Sequence, residues 1–162
     1  MGSVVKAVDV VLFSYMLVIA LACPLIYAQI LFPQTLYPRF LVQLKNWYIR
    51  EYDHYLMIDQ PHFFVGLVCY EFIFQLPLIL LNLYAILTAK PWFKTTCLIY
   101  GVTLSSAMVA ILSEMVGSKR ASPKLLTLYV PVMGLGVLAT LRGLLSHSES
   151  DKSPRMSTKK RV

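Results

Sequence analysis

Four uninterrupted apolar stretches, at about residues 8–31, 62–88, 95–116 and 124–145, leave this 162-residue chain few ways to fold. Each is long enough to cross a hydrocarbon core of about 30 Å, which takes roughly 20 helical residues. Inside lipid every backbone N–H and C=O needs a partner from the protein, so only helices and closed barrels span a membrane. None of the four stretches alternates polar and apolar residues as a barrel strand does. The expected fold is an all-α membrane protein, a four-helix transmembrane bundle. Composition points the same way, with 57% of residues hydrophobic and 14% charged.

The first stretch contains Ala20-Leu21-Ala22, a small-residue pattern of the kind a signal peptidase cuts. The apolar run continues past it through Ile26, Ile30 and Leu31, however, and only Lys6 supplies positive charge before it. It therefore reads as a membrane anchor rather than a cleaved leader.

The net charge of +7 comes from loops and the tail. With both termini in the cytosol, Lys6, Lys90, Lys94, Arg142, Lys152, Arg155, Lys159, Lys160 and Arg161 lie inside. Arg39, Lys45, Arg50, Lys119, Arg120 and Lys124 then lie outside. That bias follows the positive-inside rule and accounts for the basic excess without a nucleic-acid partner. Cys23, Cys69 and Cys97 fall inside spans with no CxxC spacing, and His54, His62 and His147 are scattered. Neither a disulfide, a metal centre nor a cofactor is implied.

Residues 1–147 read as one four-span domain and 148–162 as a disordered basic cytosolic tail, too polar to build a core. The terminal Lys159-Lys160-Arg161-Val162 resembles a dilysine retrieval signal, which places the protein in the endoplasmic reticulum membrane.

Between the first two spans, Leu36 to Tyr52 has apolar residues recurring at three and four, the signature of an amphipathic helix at the membrane interface. Phe40, Leu44, Trp47 and Tyr48 are expected on one face, with Lys45, Arg50 and Glu51 toward water. The segment either packs at the interface or forms a lid over a cavity, setting Trp47 or Tyr48 against a ligand. The connection from Lys90 to Lys94 pairs Trp92 with basic residues as an interfacial anchor does, and Gly117 to Pro123 reads as a simple loop.

The chemistry centres on Glu71, in Cys69-Tyr70-Glu71-Phe72-Ile73-Phe74-Gln75-Leu76-Pro77. An acid at a helix centre costs roughly 2.5 to 3.5 kcal/mol to insert, so it faces a cavity, a partner or a ligand rather than lipid. Gln75 lies one turn on, on the same face. Pro77 has no N–H for the Ile73 carbonyl, so a kink there frees an acceptor beside both side chains. A neutral Glu71 can donate to a sterol hydroxyl, and an ionised one can pair with a buried amine; a plain interhelical hydrogen bond is the structural alternative. In the fourth span Tyr129 directs a hydroxyl inward beside Pro131, which opens the backbone, and Gly134 and Gly136 permit close packing. Asp9 and Glu114 read as structural.

Leu36-Tyr37-Pro38, Leu44-Lys45-Asn46-Trp47-Tyr48, the Cys69 to Pro77 segment, Trp92 with Tyr100 eight residues later, and Tyr129-Val130-Pro131 together resemble the sigma-2-receptor type of the EXPERA-domain family, in a plant-like version. The resemblance covers nearly the whole chain. It implies a protein of the endoplasmic reticulum that binds sterols and cationic amphiphiles in an intramembrane cavity and takes part in sterol transport and homeostasis. It also implies a homodimer and a further partner among sterol-transport membrane proteins. Glu71, Tyr27, Gln75, Tyr48, Trp47, Tyr129 and Tyr100 are the ligand-contact candidates.

The match departs from the family in one telling place. An aspartate that accompanies the helix-two glutamate in the family is Tyr27 here, a phenol that hydrogen-bonds but carries no charge at neutral pH. Amine binding is therefore expected to rest on Glu71 alone while sterol binding persists. Two other readings stay open. One is a sterol Δ8-Δ7 isomerase, which also belongs to the family, although its histidine one turn before the glutamate is Leu67 here and Glu114 would have to supply a second acid. The other is a membrane scaffold that regulates other sterol-handling proteins. A non-enzymatic binding protein is preferred to both.

Overall fold

In the computed structural model the described residues are 2–151, with side-chain surroundings described from 3 to 145. The greater part of the expected tail, including Lys159 and Lys160, lies outside them. Helix α1 (Gly2–Leu25) tightens into 3-10 turns at Tyr27–Ile30 and Gln34–Leu36, and is followed by α2 (Arg39–Tyr52) and the short α3 (Tyr55–Asp59). The second span is α4 (His62–Tyr70), a π turn (Glu71–Gln75) and α5 (Leu76–Leu87) in unbroken succession. Helices α6 (Phe93–Ser118) and α7 (Pro123–Asp151) complete the chain, with no strand among the described residues. Among the described residues four segments are long and apolar enough to cross a membrane: Ser3–Ile30, His62–Leu87, Phe93–Ser118 and Pro123–Leu145.

Proline acts differently in each of the three spans that contain it. Pro24 sits in the last turn of α1, just before the change to 3-10 geometry. Pro77 stands at the start of α5 directly after the π turn, in which the Leu76 N–H reaches the Glu71 carbonyl five residues back. The missing N–H is thus accommodated by a widened turn rather than a plain kink, and such widenings recur at functional sites. Helix α7 runs through Pro131 without a break, so the expected opening of its backbone is not found there.

Helices α6 and α7 pack as a tight antiparallel pair because glycines remove side chains from the contact. A Cβ on Gly101 would collide with the Thr140 backbone nitrogen and lie 2.8 Å from the Gly136 carbonyl. One on Gly143 would stand 2.6 Å from the Leu98 Cβ. Gly136 faces Ser105, as its expected packing role requires, whereas Gly134 looks into open space. Between the second span and α6, the Thr96 hydroxyl donates to Asn82 Oδ1 at 2.6 Å, with Asn82 wholly buried. At one end of the bundle Arg142 clamps Asp9 with Nε to Oδ1 at 2.7 Å and Nη2 to Oδ2 at 3.0 Å, joining α7 to α1. Asp9 is structural, as read, and its partner is a residue 133 positions away.

The interfacial helix α2 is turned about its axis relative to expectation. Leu41 and Lys45 are buried and Tyr48 and Tyr52 half-buried, while Phe40, Leu44 and Trp47 are exposed. Neighbouring residues diverge by about 100° on a helix, so Tyr48 turned inward carries Trp47 outward. Lys45, expected in water, is buried. The outward apolar stripe of Phe40, Leu44 and Trp47 suits a helix lying in the bilayer surface. Gln29 seats α2, its Nε2 donating to the carbonyls of Leu25 at 2.6 Å and Leu41 at 3.1 Å.

His54 locks the segment after α2 onto α7. The chain leaves α2 through Asp53 in the left-handed region and drops His54 into full burial. Its Nε2 makes a 2.8 Å hydrogen bond with the Tyr129 hydroxyl, and its ring contacts those of Tyr48, Phe64 and Tyr129.

Two outcomes are expected. Gly101→Ala should destabilise the protein by about 1–3 kcal/mol, since the clash is with backbone and the helices must separate. Gly134→Ala should leave the melting temperature unchanged, and equal melting of the two variants would refute the close-packing account. Burial pushes the His54 imidazole down to about 4, whereas an unfolded histidine titrates at about 6.5. Its contribution is full above the unfolded value and is lost as pH falls toward 4, on the order of 2–3 kcal/mol. Thermal stability should decline over that window, and His54→Phe, which keeps a ring but does not titrate, should flatten the decline.

Candidate ligand-binding site

The four spans enclose a cavity of about 240 Å³ in the middle of the bundle. Most of its wall is aliphatic, from residues such as Val18, Ile79, Leu104 and Val132. Into it are set one carboxyl, one carboxamide and five phenols: Glu71, Gln75, Tyr15, Tyr27, Tyr48, Tyr100 and Tyr129. Polar groups are few and sit on different elements, the usual make-up of a site that encloses an apolar ligand and orients it by its head group.

Glu71 and Gln75 open and close the π turn, and both line the cavity. Among the described residues the Glu71 carboxyl has no hydrogen-bond or ion-pair partner. The expected alternative, in which Glu71 merely bonds a neighbouring helix, is therefore not what the bundle contains. Gln75 is 3% exposed, and its Oε1 is also without a partner.

The tyrosines divide into two groups. Tyr27 and Tyr48 hold each other, with hydroxyl oxygens 3.2 Å apart and rings edge to face. Tyr27 is thus engaged with α2 rather than with Glu71. Tyr129 is held by His54. These three form a polar roof joining the end of α1, α2 and α7, and burial pushes the Tyr48 phenol up to about 12, so that it stays a neutral hydrogen-bonding group. Tyr15 and Tyr100 stand on α1 and α6, and their hydroxyls have no partner.

Six of the seven ligand-contact candidates from the sequence therefore meet in one cavity. Trp47 does not, because it shares the outward stripe of α2 with Phe40 and Leu44 and is 57% exposed. Glu114 lies exposed on α6 and is absent from the wall, which removes the second acid an isomerase would need from that position. Two participants escaped the sequence reading. Tyr15 was detectable, since Tyr15, Val18, Ile19 and Ala22 repeat at helical spacing and all line the cavity. His54 carried no such signal: its burial depends on the left-handed turn at Asp53 and on a tyrosine 75 residues away.

Comparison with known proteins agrees with this geometry. Residues 40–146 match the family model described as EXPERA (EXPanded EBP superfamily). The chain is 33% identical over 86 residues to the sigma intracellular receptor 2 of Homo sapiens, covering 52% of this chain and 49% of that protein. It is 29% identical over 87 residues to the sigma intracellular receptor 2 of Xenopus tropicalis, covering 53% and 51% respectively. The chain thus spans about half the length of the curated relatives it matches. Since the matched residues include α2, the Glu71 turn and both members of the α6–α7 pair, the chain belongs to the EXPERA superfamily.

Proposed function

We propose that this protein binds sterols and cationic amphiphiles in its intramembrane cavity, in the manner of a sigma-2 receptor, and takes part in intracellular sterol transport or homeostasis. The observation that carries the reading is Glu71: a carboxyl with no partner among the described residues, facing an apolar cavity in the core of four membrane-spanning segments. A group so placed gains from any ligand that brings a hydrogen bond or a positive charge. Similarity to sigma intracellular receptor 2 supports the same assignment. The ligand contacts belonging to this reading are Glu71, Gln75, Tyr27, Tyr48, Tyr100 and Tyr129. An endoplasmic reticulum location with both termini cytosolic, retrieval through Lys159 and Lys160, a homodimeric state and a sterol-transport membrane protein as partner belong to the same proposal.

Binding is preferred to catalysis because proton transfer to and from a sterol carbon needs an acid and a second acid or base in reach of the substrate. In this cavity Glu71 is the one carboxyl, the other polar groups being phenols and an amide.

The deciding experiment incubates purified protein, wild type and Glu71→Gln, with a Δ8-sterol and analyses the recovered lipid by mass spectrometry. Unchanged sterol, retained by the wild type and lost from the variant, is the expected result. Appearance of the Δ7 isomer would make the protein an enzyme. A companion prediction concerns charge: Tyr27→Asp should tighten a tertiary-amine amphiphile by about tenfold, the order of one charge-assisted contact. No gain in amine affinity would show that position 27 does not set ligand charge preference.

A further inference from the structure

Six buried side-chain polar atoms lack a partner among the described residues, and three of them belong to the cavity wall: Tyr15 Oη, Gln75 Oε1 and Tyr100 Oη. An unsatisfied buried polar group costs about 1–3 kcal/mol, so three in one wall mark a place where a polar ligand group has most to gain. They stand on three separate elements, α1, the π turn and α6. Tyr15 and Tyr100 lie within electrostatic reach of Glu71, and Tyr100 within that of Tyr15. Gln75 is one turn along from Glu71. The roof differs in kind, because Tyr27 is matched to Tyr48 and Tyr129 to His54. Within the cavity wall the unmet hydrogen-bonding demand therefore sits beside Glu71, while the unpartnered His54 Nδ1 at the roof belongs to a residue outside that wall.

The chemistry of that demand is specific. It comprises two hydroxyls, each with a proton to place, and one carbonyl oxygen that only accepts. An ammonium has donors and no lone pair, so it leaves both phenol protons unplaced. An alcohol has one donor and two lone pairs. We infer that Tyr15, Gln75 and Tyr100 form a subsite for the hydroxyl of an apolar alcohol, which donates to Gln75 Oε1 and accepts from the two phenols. Glu71 stands beside this subsite and supplies the charge that an amine ligand would use instead. The inference rests on the binding reading above and adds to it the head-group class, three residues that act together, and an orientation in which the head points to Glu71 and away from the roof.

The test uses the full chain in lipid nanodiscs with three probes: cholesterol, its 3-deoxy analogue and a hydrophobic tertiary amine. The wild type should prefer cholesterol to the deoxy analogue by about tenfold, the order expected of one to two satisfied hydrogen bonds. Tyr15→Phe, Gln75→Leu and Tyr100→Phe should each shrink that preference to about twofold, because cholesterol loses one partner that the deoxy analogue never had. The two phenylalanine variants remove a single oxygen each, and an unchanged melting temperature certifies that each variant is folded. Equal binding of cholesterol and the deoxy analogue by the wild type, or variants that keep the preference, would overturn the alcohol subsite. If Glu71→Gln still weakened the amine in that case, the cavity reading would stand and only this inference would fall. If no probe bound the wild type, both would fall.

Discussion

A carboxyl surrounded by hydrocarbon has to be met by a dipole, a counter-charge or a ligand, and at the centre of this bundle no described residue hydrogen-bonds or ion-pairs with Glu71. The backbone around it is unusual in the same place. Glu71 starts the single π turn among the described residues, Gln75 ends it, and Pro77 follows two residues later. Since water cannot satisfy a broken helix inside the membrane, a proline in a span has to be absorbed by a local change of winding. Here that change occurs where two polar side chains enter the cavity, so the feature that accommodates Pro77 also shapes the site.

The rest of the molecule keeps that cavity open at the centre and closed at its ends. Helices α6 and α7 form a wall whose glycine contacts leave little freedom to slide. Helix α1 is tied to this wall at one end by the bidentate Asp9–Arg142 pair, whose side chains are 24% and 14% exposed. At the other end Tyr27, Tyr48, His54 and Tyr129 join α1, α2 and α7 in one contact group. The remaining ion pairs, Arg120 with Asp59 and Lys124 with Glu51, are well exposed and contribute little. Between the two ends most of the cavity wall is aliphatic.

Much of this was legible because the bilayer imposes rules that act residue by residue. Span length, the polar cluster of Glu71, Gln75 and Tyr129, and the amphipathic character of α2 depend on local spacing alone. The errors arose where spacing admits two answers. Helix α2 has two apolar stripes one residue apart, and only contact with Gln29, Tyr27 and the turn at Asp53 selects the one bearing Tyr48 over the one bearing Trp47. Gly134 and Gly136 are equally plausible packing residues in the sequence, yet they point in different directions, and only Gly136 meets α6.

By itself, then, the sequence determined that the chain is a helical membrane protein, how many times it crosses, and which intramembrane acid the candidate site is built around. These follow from the cost of placing backbone and charge in hydrocarbon, which needs no knowledge of neighbours. Tertiary structure alone decided which polar groups are satisfied and which are left over. Tyr27 could have met Glu71 but meets Tyr48; His54 could have faced water but is enclosed against Tyr129; Tyr15, Gln75 and Tyr100 come together from three elements with no partner. A hydrogen bond depends on positions to within a few tenths of an ångström across residues far apart in the chain, and that precision exists only once the helices have packed.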